Sequence, residues 1–231
     1  AVVPYDVPDA PTNVAATGGL GTAAVTWTAP VNTNYSAITG YAVQYSSNSG
    51  TSWSSAYTTG STSTSYTVTS LTGGTTYIFQ VRAINAAGSG SWSASSASAV
   101  PYAVPSTPTG LTATAGVTQV ALSWTAPSGN GKPITGYMYQ TSLNGSTWNT
   151  AIATGSSATS FTVTGLTKNT TYYFRVAAVN DAGTSTSTAA VTSLPYDVPN
   201  APTAVSGTAG NQQVALTWTS PANNGASITN H

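Results

Sequence analysis

A repeat of about 95 residues is the feature that most constrains the fold of this 231-residue chain. The segment PYDVP at 4–8 returns unchanged at 195–199, and the variant PYAVP stands at 101–105. The Trp of VTWTAP, LSWTAP and LTWTSP recurs at nearly the same step. A unit this long exceeds the repeats of solenoid proteins and has the size of a small domain with its own core. The sequence therefore predicts consecutive copies of one small domain.

The repeat landmarks also predict the domain boundaries. The expected complete domains are 8–100 and 105–194, joined by the linker 101–104. Residues 1–7 are expected to be the tail of a preceding copy with its linker. The linker 195–198 leads to 199–231, which holds the first strands of a third copy. Because both ends fall inside a copy, we expect the chain to be an excerpt from a longer array. The lack of a signal peptide or an anchor then says nothing about the parent protein.

Composition excludes several classes of protein. Only 3% of the residues are charged, and the formal net charge is zero, so no basic surface for nucleic acid is expected. Hydrophobic residues make up 40% of the chain, which is too many for a disordered segment. There is no Cys, so neither disulfides nor thiol chemistry can contribute. Net charge near zero favours association between molecules, although the same composition is common in Ser/Thr-rich secreted proteins.

Short runs with a period of two residues predict β-strands throughout each copy. Apolar residues alternate with polar ones in the runs AVTW, YAVQY, YTV and YIFQVRA, which begin at Ala24, Tyr41, Tyr66 and Tyr77. The runs are separated by Gly, Asn, Ser and Pro, the residues that are common in turns. Several short strands in about 95 residues indicate an antiparallel β-sandwich. The expected fold class is all-β, with two complete tandem sandwiches and one partial one.

Several motifs carry a specific resemblance to a known family. The segments PTNVAATGGLGTAAVTWTAP, ITGYAVQY and TSYTVTSLTGGTTYIFQVRAINAAG, with their second copies, resemble fibronectin type III domains over essentially the whole chain. The resemblance includes a Leu six residues before a Tyr (Leu71 to Tyr77, Leu166 to Tyr172) and a closing Asn-x-Ala-Gly. It implies an immunoglobulin-like sandwich in which Tyr77 and Tyr172 form tyrosine corners, each hydroxyl bonding an upstream backbone group.

Alternation along the strands predicts which side chains face the core. The expected inner residues, shared between the third strand and the long strand that follows Leu71, are Tyr41, Val43, Tyr45, Tyr77, Phe79, Val81 and Ala83. The expected outer residues are Gln44, Ile78, Gln80 and Arg82. In the second copy the inner row is Tyr137, Tyr139 and Thr141, and the outer row is Met138, Gln140, Tyr173 and Arg175. Thr141 replaces Tyr45, so we expect either a differently packed core or a hydroxyl bonded to a neighbour.

No catalytic or metal-binding constellation is predicted. The one His, His231, ends the chain at a strand position, so a nucleophile would have no base to activate it. Asp6 with Asp9, or Asp197 alone, supplies too few oxygens for Ca²⁺, and PYAVP has no Asp. No phosphate-binding, dinucleotide-binding or zinc motif occurs, and no RGD tripeptide. We expect no enzyme activity, no cofactor and no metal.

Three Trp residues are the candidate surface contacts. Trp53 and Trp148 occupy equivalent positions after the third strand, whereas Trp92 has no aromatic counterpart in the second copy. An exposed Trp can stack on a sugar ring or on another protein, but it can equally cover the edge of a sandwich. We favour the structural role for Trp53 and Trp148 and leave both roles open for Trp92.

The function expected from these observations is that of a non-catalytic structural or adhesive segment. Similar arrays occur in bacterial extracellular proteins and in phage virion proteins, so the expected location is extracellular or at a cell surface, with a virion as an alternative. The segment would be a rod-like spacer, and copies of it would associate into a filament or surface layer. The alternatives are a glycan- or protein-binding accessory module of a secreted polysaccharide-degrading enzyme and a virion tail or decoration protein. No nucleic-acid partner and no membrane insertion of this segment are expected.

The repeated pentapeptide is predicted to be a joint between domains. Its two prolines restrict φ and favour extended neighbours, so a semi-rigid strut is expected. The Tyr is present in all three copies, as Tyr5, Tyr102 and Tyr196, while the Asp is not. We expect this Tyr to pack between adjacent domains and fix their angle.

Overall fold

A computed structural model describes residues 6–230 of the chain. All the regular structure in this range consists of β-strands. Residue contacts divide the chain into two compact units. The first unit contains residues 6–105 with 128–133 and 180–183, and the second contains 106–127, 134–179 and 184–230.

The first copy folds into a sandwich of two antiparallel sheets. One sheet has the order β1-β2-β5 and the other β4-β3-β6-β7. The strands are β1 Thr12–Gly19, β2 Thr22–Thr28, β3 Gly40–Ser46, β4 Tyr57–Thr58, β5 Ser65–Val68, β6 Ile78–Asn85 and β7 Gly88–Ser89. The predicted strands of this copy are therefore present, and β3 pairs with β6 along the whole length of β3.

The second copy repeats this plan. Its sheets have the orders β12-β9-β8 and β11-β10-β13-β14, and β15 pairs with β13. The strands are β8 Thr109–Gly116, β9 Gln119–Thr125, β10 Gly136–Ser142, β11 Ile152–Ala153, β12 Ser160–Thr164, β13 Tyr172–Asn180, β14 Gly183–Thr184 and β15 Val191–Ser193. The predicted all-β fold of tandem antiparallel sandwiches is confirmed.

The third copy is a single hairpin of β16 Thr203–Gly210 and β17 Gln213–Thr219. Its apolar face is open in the described residues: Leu216 is 59% exposed and Trp218 42%. The equivalent residues of the first copy, Val25 and Trp27, are 0% and 6% exposed because a second sheet covers them. Equivalent apolar residues of the hairpin are thus buried where the second sheet covers them and exposed where it does not.

Each complete sandwich has its own core, formed by the predicted inner rows. Trp27 packs edge-on against Tyr41 with ring centroids 5.0 Å apart, and Trp124 packs in the same way against Tyr137 at 5.0 Å. The inner residues of β6, with Tyr77 just before it, are almost completely buried, as predicted. The alternation of the sequence therefore identified the core face.

The two tyrosine corners are confirmed. Thr72 N–H donates to the Tyr77 hydroxyl oxygen at 3.2 Å, and Thr167 N–H donates to the Tyr172 hydroxyl oxygen at 3.2 Å. Each ring packs against the core while its oxygen accepts a hydrogen bond from the turn five residues upstream. The corner therefore ties that turn to the start of the following strand.

The prediction that Gln44 lies outside the core is right about its direction but wrong about its exposure. Gln44 is only 9% exposed, although it points away from the inner row. Its Nε2 donates to Gln80 Oε1 at 2.9 Å, directly across the β3–β6 pair. These two strands occupy the centre of a four-stranded sheet, where long outer side chains cover one another. The outer face of this sheet is therefore half-buried rather than open.

Both of the outcomes predicted for Thr141 are observed: its hydroxyl is bonded to a neighbour, and the core around it is packed differently. Its Oγ1 accepts a hydrogen bond from Asn149 Nδ2 at 3.0 Å. The core of the second sandwich is also packed differently, because Tyr139 packs against Phe161 with centroids 5.1 Å apart. In the first sandwich the residue at the position of Tyr139 is Val43, and the aromatic side chain is Tyr45.

In part of the closing segment of each sandwich, Ser and Thr hydroxyl groups accept hydrogen bonds from the preceding long strand. Val81 N–H donates to Ser93 Oγ and Phe79 N–H to Ser96 Oγ, both at 3.0 Å. In the second sandwich, Ser185 and Thr188 accept hydrogen bonds from β13 in the same way. The abundance of Ser and Thr here is therefore structural as well as solubilising.

Candidate functional site

The linker Asp residues bond to their own backbone. Asp6 Oδ1 accepts a hydrogen bond from Val7 N–H at 2.7 Å, and Asp197 Oδ1 accepts one from Val198 N–H at 2.8 Å. Residues 6–230 hold no group of three or more His, Cys, Asp or Glu side chains that could bind a metal ion. His231 lies outside the described residues. Each linker carboxylate thus accepts from the amide of the residue that follows it.

Each of the four basic residues has an aromatic or acidic neighbour. The Arg82 guanidinium lies 4.6 Å from the Trp92 ring centroid, and that of Arg175 lies 4.2 Å from the Trp148 centroid. The remaining pairs are Lys132 Nζ with the Tyr102 ring at 5.0 Å and Lys168 Nζ with Asp197 Oδ2 at 3.4 Å. Such cation–π contacts contribute about 0.5–1 kcal/mol at exposed sites. The few cations of the chain therefore hold neighbouring side chains in place.

The two arginine–tryptophan stacks lie on the outer faces of the sheets containing β6 and β13. Arg175 Nε also donates to Gln140 Oε1 at 2.8 Å, and Gln140 Nε2 donates to the Asn149 carbonyl at 2.8 Å. The three candidate Trp residues are all half-buried. A guanidinium already covers one face of Trp92 and of Trp148, so that face is not available to a sugar ring. Trp53 lies near Gly50.

The sequence did not indicate which Trp would stack on an Arg. Trp53 and Trp148 are equivalent, but Arg82 and Arg175 are not, because Gln80 is the residue that corresponds to Arg175. The Arg of the first sandwich stands two residues further along its strand and contacts Trp92 instead. A comparison of the two Arg positions, rather than of the Trp positions alone, would have revealed this difference.

Burial shifts the acidity of two core phenols in the first sandwich. Desolvation raises the pKa of Tyr41 above its usual value of about 10, and the neighbouring Trp27 indole partly offsets this shift. Desolvation likewise raises the pKa of Tyr45, and the neighbouring Tyr57 and Tyr77 phenols add to it. Both phenols therefore stay protonated in the folded protein at neutral pH.

The most extensive repeated arrangement of hydrogen bonds occurs at the PYAVP and PYDVP segments, here called the first joint (101–105) and the second joint (195–199). In the first joint Tyr102 N–H donates to the Gly19 carbonyl and Gly21 N–H donates to the Tyr102 carbonyl, both at 2.9 Å. Gly74 N–H donates to the carbonyl of the joint's first proline at 2.8 Å. The leading half of the joint is thus paired with the end of β1.

The trailing half of the first joint is held by two asparagine side chains. Ala103 N–H donates to the Asn130 carbonyl at 2.9 Å, and Asn130 Nδ2 donates to the Val104 carbonyl at 2.9 Å. Asn180, which opens the closing Asn-x-Ala-Gly motif, donates its Nδ2 to the Ala103 carbonyl at 3.0 Å. All these residues belong to the first compact unit.

The second joint lies within the second compact unit. Of the six hydrogen bonds described at the first joint, it repeats the five that do not involve Asn180. They run from Tyr196 N–H to the Gly116 carbonyl (3.1 Å), Thr118 N–H to the Tyr196 carbonyl (2.9 Å), Asn169 N–H to the Pro195 carbonyl (2.9 Å), Asp197 N–H to the Asn224 carbonyl (2.9 Å) and Asn224 Nδ2 to the Val198 carbonyl (2.7 Å). Two segments that differ in sequence therefore adopt the same bonded conformation.

The described part of the opening PYDVP segment repeats the trailing half of this arrangement. Asp6 N–H donates to the Asn34 carbonyl at 3.2 Å, and Asn34 Nδ2 donates to the Val7 carbonyl at 2.6 Å. Asn85 Nδ2 donates to the Asp6 carbonyl at 2.8 Å, as Asn180 does at the first joint. The recurrent Asn residues are the joint residues that the sequence interpretation missed, and their repetition in each copy was the available signal.

The predicted joint tyrosines are placed in two of the three cases. Tyr102 and Tyr196 are half-buried, and each forms an isolated parallel bridge through its backbone, with Leu20 and Val117 respectively. Tyr5 lies outside the described residues. That the side chain sets the angle between domains stays a prediction.

The joints differ in one matched pair of side chains. At the first joint a Cβ on Gly73 would lie 2.7 Å from the Ala103 Cβ, so only glycine fits there. At the second joint the same two positions carry Lys168 and Asp197, which form the ion pair described above. Because these two side chains are 41% and 30% exposed, the pair contributes little stability.

Among the described residues, no helix has the length and hydropathy needed to span a membrane.

The chain is similar to parts of several known proteins. It is 34% identical over 193 residues to chitinase A1 of Niallia circulans, which covers 79% of this chain and 25% of the chitinase. It is 38% identical over 108 residues to mouse protein sidekick-1, covering 44% of this chain and 5% of that protein. It is 34% identical over 134 residues to mouse receptor-type tyrosine-protein phosphatase F, covering 58% of this chain and 7% of that protein. The chain thus spans a quarter or less of the length of each of these relatives.

A solved structure and a family model agree on the fold. The crystal structure of the chicken CNTN1 FN1-FN3 domains superposes with a TM-score of 0.50 at 19% identity, covering 91% of this chain and 75% of that one. The family model for the fibronectin type III domain matches residues 9–99 and 106–193, which is more than half of the chain. The protein belongs to the fibronectin type III domain family.

Proposed function

We propose that this chain is a non-catalytic structural segment of an extracellular or cell-surface repeat protein, in which each sandwich is a spacer and the joints hold successive sandwiches in a fixed relation. The observation that carries the proposal is the set of five hydrogen bonds that the two joints share. The receptor-type relative supports the extracellular location.

The physical argument concerns the flexibility of the joint. A flexible linker exposes its backbone to water, whereas in the first joint the carbonyls of four consecutive residues and the amides of two of them have protein partners. Each such bond contributes about 0.5–1.5 kcal/mol net, and the prolines at both ends restrict the chain further. The joint therefore behaves as a structured connector, and the half-buried Tyr is the side chain proposed to orient it.

The test removes the joint bonds and measures the flexibility of the whole chain. Asn130→Ala deletes the Nδ2 donor to Val104, and Tyr102→Gly deletes the proposed orienting side chain. We expect both variants to broaden the distance distribution from small-angle X-ray scattering relative to the parent chain. Asn144→Ala is the control, because Asn144 bonds only within its own turn in the hydrogen bonds described for it. Unchanged profiles for both joint variants would reduce the joint to a plain spacer.

A glycan- or protein-binding accessory role in a secreted polysaccharide-degrading enzyme is the second candidate. The similarity to a chitinase over 79% of the chain favours it. Trp53, Trp92 and Trp148 would supply the contacts, although Arg82 and Arg175 already stack on the latter two. Affinity electrophoresis in soluble polysaccharide would show retardation of the parent chain that is lost in the Trp→Ala variants. Equal mobility with and without polysaccharide would exclude this role for the ligands tested.

Assembly into a filament or surface layer is a further part of the proposal. The zero net charge supports it, since neutral surfaces repel each other weakly. Sedimentation velocity should then show concentration-dependent oligomers. A monodisperse monomer at all concentrations would contradict the assembly without affecting the spacer role.

A further inference from the structure

The loop between the second and third strands makes an unusual turn in each copy. Asn34, Asn130 and Asn224 adopt the left-handed conformation with φ of 52°, 49° and 51°, and each of them donates to the joint as described above. The next residue is left-handed as well, with φ of 91° at Gly131 and 93° at Gly225. The loop thus contains two consecutive left-handed residues where it lies beside the joint.

The glycines of this turn lie too close to the joint for any side chain. A Cβ on Gly131 would lie 2.5 Å from the Pro101 carbonyl oxygen and 3.1 Å from the Tyr102 Cα. The Gly74 nitrogen would be 3.2 Å from it. Backbone atoms cannot yield as a flexible side chain can, so the close approach depends on the absence of a Cβ.

Gly225 has the same surroundings at the second joint. A Cβ there would lie 3.2 Å from the Tyr196 Cβ and 2.6 Å from Asn169 Oδ1. Both joints therefore combine a left-handed glycine with close contact between the loop and the Tyr of the joint.

The first copy differs at this position. It carries Tyr35, whose φ is 60° although bulky side chains disfavour this conformation, and whose side chain is 82% exposed. Its loop is also one residue longer between Pro30 and Asn34, and the added stretch includes Val31, which is fully exposed. The first copy thus carries an aromatic side chain at the position where the other two copies have Gly.

We infer that the glycine after the loop asparagine is the residue that permits a domain to form this close joint with the segment before it, and that a Tyr at this position, as in the loop of the first copy, is incompatible with the joint. The first domain retains the Asn34 and Asn85 bonds to its own entering strand. A segment that approached Tyr35 as Pro101 approaches Gly131 would overlap its Cβ. This inference rests on the proposed role of the joints as structured connectors.

The experiment uses hydrogen exchange in the complete chain, followed by NMR at two joint amides. The Gly74 and Ala103 amides donate to Pro101 and Asn130, so their exchange rates report the closed first joint. Gly131→Ala adds a Cβ against the joint. Gly155→Ala is the matched control, because Gly155 has φ of 75° and no atom within 4 Å of its added Cβ. We expect exchange at both amides to rise about tenfold or more in Gly131→Ala and to stay within about twofold in the control.

A loop exchange tests the role of Tyr35 directly. Residues 128–133 are replaced by VNTNYSA, the sequence of residues 31–37, and in a second chain by the same sequence with Gly in place of the Tyr. We expect the Tyr-bearing loop to abolish protection at Gly74 and Ala103 and the Gly-bearing loop to restore it. Core amides of β13 serve to check that the second sandwich stays folded.

The outcomes separate this inference from the proposed function. Rapid exchange at both joint amides in the parent chain would overturn the structured connector, and the inference with it. Slow exchange in the parent that persists in Gly131→Ala and with the Tyr-bearing loop would overturn only the inference. Equal loss of protection with the Tyr-bearing and Gly-bearing loops would show that loop length, not Tyr35, prevents the joint.

Discussion

The two complete sandwiches share a strand plan but fill their cores differently. In the first, Tyr45 packs against Tyr77 at 5.3 Å and Phe79 at 6.3 Å between ring centroids. In the second, the aromatic side chain stands two residues earlier, as Tyr139, and Thr141 occupies the position of Tyr45. Since alternate residues of a strand face the same side, an aromatic ring can move by two positions and stay in the core. Total volume and pattern are kept while the individual contacts change.

On the outer faces of the same sheets, the position of the Arg also differs by two residues between the two sandwiches. Each sandwich stacks one Arg on one Trp, but Arg82 and Arg175 differ by two positions along equivalent strands, and their partners lie in different loops. Positions common to both sandwiches therefore define the fold, whereas positions that differ define how each copy is packed. Mutations at the two kinds of position should behave differently.

The largest effects are expected at the shared core positions. Phe79→Ala and Phe174→Ala each remove a side chain with 0% exposure, so each should lower the free energy of unfolding of its own sandwich by about 3–5 kcal/mol. Hydrogen exchange of core amides in the complete chain measures each sandwich separately. A difference of more than about 2 kcal/mol between the two variants would show that the shared positions are not equivalent.

A smaller and unequal pair of effects is expected where the cores differ. Tyr45→Thr removes the aromatic contacts of the first sandwich and should cost roughly 2 kcal/mol. Thr141→Ala removes one hydrogen bond to Asn149 and should cost about 1 kcal/mol. Denaturant unfolding followed by exchange at β3 and β10 compares the two. Equal costs would mean that the hydroxyl in the second core is as important as the ring in the first.

The tyrosine corners should give equal effects near the lower limit of detection. Tyr77→Phe and Tyr172→Phe keep the ring and leave Thr72 and Thr167 without the hydroxyl acceptor. Each should lower the stability of its sandwich by about 0.5–1.5 kcal/mol. Thermal unfolding of the two single variants and the double variant provides the measurement. Clear non-additivity in the double variant would contradict the independence of the two corners.

The smallest effect concerns alkaline pH. The folded state raises the pKa of Tyr45, so the stability linked to its proton is complete below about pH 10 and is lost as the pH rises through the folded pKa. We expect the first sandwich to lose less stability above about pH 10 in Tyr45→Phe than in the parent chain. The second sandwich, which has Thr141 at this position, is the internal control. Identical pH profiles for parent and variant would assign the alkaline loss to other groups.

Much of the fold and part of the site could be predicted from particular residues. The spacing of Trp27 and Trp124 indicated the repeat, and the alternation around Tyr41 and Phe79 indicated the inner face. The tyrosine corners followed from the family resemblance. The burial of Gln44 could not be predicted, because it depends on neighbouring strands that cover the outer face. The role of Asn130 was missed because an Asn in a turn usually bonds locally, whereas this one bonds to a segment 26 residues away.

The sequence by itself determined the number of copies, the strand pattern, the core rows and the absence of Cys and strong charge, because these depend on residue type and spacing along one chain. The tertiary structure alone decided which Trp stacks on which Arg, that the joints are hydrogen-bonded, and that Gly131 has no room for a Cβ where Tyr35 is exposed. These features depend on distances between residues far apart in the chain. Spacing in the sequence sets which side of a strand a residue faces, but only the folded backbone sets what it meets there.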